Sequence, residues 1–207
     1  MLTSAIFLAA SALLGVHEDR VRPLADSPSA LGSADEEIRS LAINLDNAIK
    51  LCSAEIVRAS TGEKVISKAE NAALDKGMLT WMVDPPKQLV EMARDRPARF
   101  GRWADPHASI FVIAHETSPT CRILVGESPW TAAVRPVLYA KIQDDNFWKS
   151  DGPEQPFAAE SVRATFHANV SKEAKVQPMI SIVAPTSSKE GGIQLSIGVH
   201  LVAEGEK

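Results

Sequence analysis

Residues 161–170, SVRATFHANV, and residues 193–201, IQLSIGVHL, carry the pattern on which the fold reading rests. In the first, Val162, Ala164, Phe166, Ala168 and Val170 alternate with Arg163, Thr165, His167 and Asn169. In the second, Ile193, Leu195, Ile197, Val199 and Leu201 alternate with Gln194, Ser196, Gly198 and His200. Successive side chains of a strand point to opposite faces, so a period of two marks a strand with one face in the core and one in water. Antiparallel sheets accommodate that half-burial, whereas parallel sheets are covered on both faces. Between the two stretches, Met179 to Ala184 forms a further apolar run bounded by Pro178 and Pro185, and Thr186 to Gly192 (TSSKEGG) has the composition of a hairpin loop.

Upstream, Ile110-Phe111-Val112-Ile113 reads as a continuous apolar strand, and Glu116 to Thr120 (ETSPT) as a turn. The strand resumed at Cys121 to Val125 places Cys121, Ile123 and Val125 on one face. Ser128-Pro129 opens a helix carrying Trp130, Val134, Val137, Leu138 and Ile142, and Pro136 kinks it or postpones its start. Nearer the N-terminus, Ile38, Leu41, Leu45, Ile49, Cys52 and Ile56 recur at steps of three and four behind a capping-box form, Ser33 with Glu36. This predicts an amphipathic helix ending at Thr61-Gly62. A second capping-box form, Ser67 with Glu70, opens a shorter helix, and after the break at Asp84-Pro85-Pro86 a short helix passes through Leu89, Val90 and Met92, with Asp84 as its cap.

The order is α-α-β-β-α-β-β-β, and the expected fold is α+β: a single antiparallel sheet of about five strands with helices packed on one face, spanning residues 35–207. In element order, residues 35–203 resemble the profilin-like and PAS-like domains. A second resemblance is to small exported bacterial proteins of unassigned function that pair a Cys on the first helix with one on a strand. Neither resemblance brings a motif, so no functional residue is carried over from them.

Met1 to Val16, MLTSAIFLAASALLGV, contains no charged side chain, and His17-Glu18-Asp19-Arg20 follows at once. An apolar run of about 12 residues is too short to span a bilayer and matches the core of a secretory signal, so residues 1–17 are expected to be a signal peptide. Residues 18–34 are expected to be a flexible linker, and the protein to be exported, periplasmic or secreted, with no stable transmembrane span after signal removal. Cys52 and Cys121 both lie on core-seeking faces, and two cysteines in an exported protein are most simply a disulfide. The 207 residues carry 22 Lys+Arg against 26 Asp+Glu, a net charge of −4 with the basic residues scattered, which disfavours nucleic acid as a partner.

No CxxC, HxxxH, HExxH, GxSxG, GxGxxG or P-loop pattern occurs, so the reading assigns no metal, no cofactor and no catalytic residue. His107 reads as a turn residue after Pro106, His115 and Glu116 as neighbours pointing to opposite faces, and Trp81, Trp103, Trp130 and Trp148 as core. The polar strand face, with Arg163, Thr165, His167, Gln194, Ser196 and His200, is the candidate binding surface for a protein or small-molecule partner. The expected function is an exported, non-catalytic binding or interaction domain. The alternative is a small exported hydrolase with His167 or His200 as base and Thr165 or Ser196 as nucleophile.

Overall fold

The computed structural model describes residues 28–62, 67–94, 96–144, 146–158, 160–170, 176–187 and 192–203. Residues 1–17, expected to be a signal peptide, and residues 18–27 of the expected linker lie outside the described residues. In chain order the elements are α1 (Pro28–Thr61), α2 (Lys68–Asp75), β1 (Leu79–Trp81), α3 (Lys87–Met92), β2 (Ala98–Trp103), β3 (Ser109–His115), β4 (Thr120–Gly126), α4 (Val134–Asp144), β5 (Trp148–Ser150), β6 (Gln155–Pro156), β7 (Ser161–Ala168), β8 (Val176–Pro185) and β9 (Ile193–Ala203). The strands form one antiparallel sheet in the order β1-β2-β3-β4-β9-β8-β7-β5, with β6 also paired to β7.

The fold class is α+β, but the sheet has nine strands where about five were expected. The additional strands are short margin strands of two or three residues, together with β2, whose Phe100-Gly101-Arg102 core breaks clean alternation. Runs so short carry no readable period, and only pairing with a long neighbour makes them strands. β1 follows directly on α2. Gly77, at φ +64°, reverses the chain there, and the Gly77 and Met78 amides close the helix end on the Leu74 and Ala73 carbonyls.

α1 lies across the sheet and buries Leu41, Leu45, Ile49, Cys52 and Ile56 against Val112, Ile123, Ile197 and Val199, with α4 packed beside it. Cys52 and Cys121 are fully buried and joined, with their Cα atoms 5.3 Å apart. α1 begins at Pro28, so residues 28–34 are helix where a linker was expected; proline suits the first helical turn because no N–H partner is needed there. Ser33 accordingly sits inside the helix and donates to Glu37 Oε1 at 3.1 Å, instead of capping it. Ser67 does cap α2, accepting from the Glu70 amide, whereas α3 is preceded by Pro86 and not by Asp84. α4 starts at Val134, which leaves Pro136 in its first turn and the helix unkinked by it.

The helices do not all share one face. α3 packs on the opposite side, where Leu89 and Ala93 meet Ile113 and Leu124, with Phe100 and Phe111 at the margin. This accounts for the unbroken apolar run in β3: Ile110 and Val112 face α1 while Phe111 and Ile113 face α3. On this outer side α3 packs on residues of β2, β3 and β4, and the β7–β9 part of the sheet keeps its polar face.

Candidate functional site

Strand register assembles the outer face. His167 of β7 lies opposite Met179 of β8, Met179 opposite His200 of β9, and His200 opposite Thr120 of β4. One step beyond the Ala114–Cys121 pair, His115 of β3 continues the same row. A second row runs from Thr165 through Ser181 and Gly198 to Arg122, and a third from Arg163 through Val183 and Ser196 to Leu124. Strands lie about 4.8 Å apart, so the histidines, two strands from one another, are spaced by about 10 Å. That spacing is too wide for joint ligation, and among the described residues no group of three or more His, Cys, Asp or Glu is placed to hold a metal ion.

Of the six residues expected on this face, five lie on it. Arg163 stacks over the Phe157 ring at 4.0 Å, Thr165 and Ser196 are half-buried, and His200 sits between Thr120 and Met179. His167 places Nε2 3.3 Å from Asp151 Oδ2, is only 16% exposed, and leaves Nδ1 buried without a partner. Asp151 thus reaches the site from the loop after β5.

Gln194 is the exception. The β4–β9 register shifts between Val125 and Gly126, so that Leu195 pairs with Val125 but Ile193 pairs with Gly126, and Gln194 is the extra residue of a bulge. Its Oε1 accepts from the fully buried Thr131 hydroxyl at 2.7 Å, and Ile193 is left exposed instead of entering the core. The bulge brings backbones so close that a Cβ on Gly126 would lie 2.6 Å from the Gly192 carbonyl oxygen.

Two polar groupings were not visible in the sequence. The first is Arg122 with His115, which join the face through β3 and β4; Arg122 alternates with the core residues Cys121 and Ile123, and that was the available signal. The second lies on the helix side at the β1–β2 margin. There Arg99 holds Glu70 through two bonds, at 2.8 and 3.1 Å, and Glu55 through one of 2.9 Å, while stacking over the Trp81 ring at 4.1 Å. Trp81 Nε1 also donates to Glu70 at 2.7 Å, and Arg58 to Glu55 at 3.0 Å. Glu55 and Glu70 are 2% and 1% exposed. Burial opposes their charge, yet the Arg99 and Trp81 donors hold the Glu70 carboxyl below its ordinary range. Two carboxylates at one arginine suggest acid-base chemistry by residue type, but the Trp81 N–H and the terminal Arg99 nitrogens are already committed to them, while Arg99 Nε and Glu55 Oε1 are buried without a hydrogen-bond partner. Their role is to bind α1 and α2 to the sheet margin. Of the four tryptophans, Trp103 and Trp148 are core, whereas Trp81 and Trp130 are half-buried and donate to Glu70 and Glu37.

Comparison with protein-family models, curated proteins and solved structures finds no match to this chain.

Electrostatics on the outer face point one way. Burial, reinforced by Arg122 and Arg96, pushes His115 below the ordinary 6.5. Burial, reinforced by His167, does the same to His200. Unfolded, both rings take up protons as the pH falls through about 6.5; folded, they resist, so the unfolded state binds more protons and stability falls with acidification. The expected result is a thermal midpoint that drops between about pH 7 and pH 5, and drops less in His115→Gln. A midpoint flat across that window, or the same slope in the variant, contradicts this assignment.

Proposed function

We propose that this protein is an exported, non-catalytic binding domain whose polar outer sheet face recognises a protein or small-molecule partner. The observation that carries the reading is the contiguous set Thr165, His167, Ser196, His200 and Arg163 on strands β7 and β9, in register through β8, with their alternate residues in the core. Such a face can lose side chains without losing the fold. Among the described residues neither His167 nor His200 makes a hydrogen bond with a hydroxyl group, which favours recognition over nucleophilic chemistry. The buried Cys52–Cys121 pair supports export, since such bonds persist in oxidising compartments, and so does the apolar stretch Met1 to Val16. The likeness in element order to profilin-like and PAS-like domains is consistent with a binding role and does not name the ligand.

One observation favours the hydrolase alternative: Asp151 beside His167 has the form of an orienting carboxylate and its base. The test separates the two. His167→Ala with His200→Ala should leave thermal melting nearly unchanged while abolishing the bound species seen by native mass spectrometry of protein isolated from its own compartment. Unchanged partners would reduce the face to solvated surface. Loss of a hydrolytic turnover present in the parent would favour the enzyme.

A further inference from the structure

Where α3 meets the outer face, the chain builds a small cationic pit. It holds about 70 Å³ and is lined by Arg94, Arg96, Arg122, His115 and Thr120, together with Met92 and Ala93. Three arginines line it from two places in the fold, Arg94 and Arg96 from the α3 exit and Arg122 from β4. Among the described residues no carboxylate pairs with any of the three: Glu91, the acid on α3, faces Lys87 instead. Arg122 is held in place by donating to the Met92 carbonyl at 3.4 Å. His115 is 6% exposed, and its Nδ1 has no hydrogen-bond partner. Arg94 occupies the left-handed region, φ +53°, directly after the helix C-cap, where glycine or asparagine is the usual residue. An arginine there carries backbone strain, and the residue is exposed.

Like charges repel one another, and a pit lined by three arginines beside an imidazole nitrogen without a partner suits an anion. A cavity needs about 10–15 Å³ of such space for one water, so this one holds several waters or a single tetrahedral oxyanion. It falls far below the roughly 300–1,000 Å³ of sites that enclose a whole cofactor. A carboxylate is saturated by one bidentate arginine, whereas a phosphate offers three or more acceptor oxygens and up to two charges. We propose that Arg94, Arg96, Arg122 and His115 form a binding site for a phosphate group, entering from the outer face. His115 and Arg122 lie on the β3–β4 part of the outer face, apart from the five β7 and β9 residues that carry the recognition reading, so either reading can fail alone.

Inorganic phosphate, glycerol 3-phosphate and acetate, titrated calorimetrically at matched ionic strength, test this directly. One-site saturable binding of phosphate is expected, with displaced His115 ring resonances by NMR, no comparable heat from acetate, and at least a tenfold loss of affinity in Arg122→Gln and in Arg96→Gln. Lys76→Gln, remote on the surface, should bind as the parent does. Arg94→Gly relieves the left-handed strain and guards against misfolding of the other variants: it should be at least as stable as the parent and still bind more weakly. Tighter binding of glycerol 3-phosphate than of phosphate would place the group on a larger ligand, and equal binding would make free phosphate sufficient. Absence of saturable binding, equal binding of acetate, or unchanged affinity in the arginine variants would overturn the proposal.

Discussion

Arg99→Met is expected to destabilise the protein by about 3–5 kcal/mol, the range for breaking a buried ion pair by removing one partner. The loss comes less from the bonds themselves than from what stays behind. Glu55 and Glu70, both almost fully buried, would face one another with Arg58 as the remaining cation on Glu55 and the Trp81 N–H as the remaining donor to Glu70. Two ionised carboxylates in that position repel, so one must take up a proton or the α1–α2 contact must open. The sign with pH follows from Glu70. Its carboxyl titrates below its ordinary 4.5 in the native state, so its contribution is present above that pH and is lost as the pH falls through the native value. Without Arg99 the burial penalty prevails and the carboxyl titrates higher, which means the gap between parent and variant should narrow in acid. Urea denaturation at about pH 7 and pH 4 measures both effects, and a cost below about 1 kcal/mol at neutral pH would show the network to be no better than a surface ion pair. Replacing Glu55 and Glu70 by Leu together with Arg99→Met should recover much of the loss, because apolar side chains of similar volume carry no desolvation penalty.

Removing the disulfide, by Cys52→Ala with Cys121→Ala or by reduction under denaturing conditions, is expected to cost about 2–4 kcal/mol. The bond closes a segment with a sequence separation of 69, for which chain entropy alone comes to about 4 kcal/mol, reduced by whatever structure the unfolded chain retains. It joins the C-terminal third of α1 to the start of β4, so the unfolded chain is held with the α1 segment beside a central strand. For a chain of this length the thermal midpoint should fall by roughly 5–15 °C. Because both sulfurs are fully buried, the native protein should resist mild reductant and release two thiols only when unfolded. Thiol counting by mass spectrometry with and without urea checks this, and rapid labelling of the native protein would contradict it.

Each strand's division into an inner and an outer face could be read from the sequence, because that depends only on a chain's own period. Phe166 and Ala168 turn inward and His167 outward whichever strand lies alongside. The same logic put Cys52 and Cys121 on facing surfaces, and helix spacing sufficed for α1 because its stripe is long and single. Lateral order is a different quantity. That β9 lies between β4 and β8, and so lines up His115, Thr120, His200, Met179 and His167, depends on which edges pair, and no period records it. Gln194 shows how local that decision can be: one extra residue opposite Gly126 turns Ile193 outward and Gln194 toward Thr131, against a perfect alternation.

The buried Glu55–Arg99–Glu70 network was equally invisible. A charged residue on a helix is expected in water, and its burial becomes tolerable only when partners from two other elements arrive together. The arginine pit has the same origin, since Arg94 and Arg96 leave α3 while Arg122 alternates along β4, and only the packing of that short helix on the sheet makes them neighbours. Amphipathic period is a property of one segment and is written into it. Charge clustering, register and the covering of a face belong to pairs and triples of segments, and the free energy that selects them exists only after the segments have met.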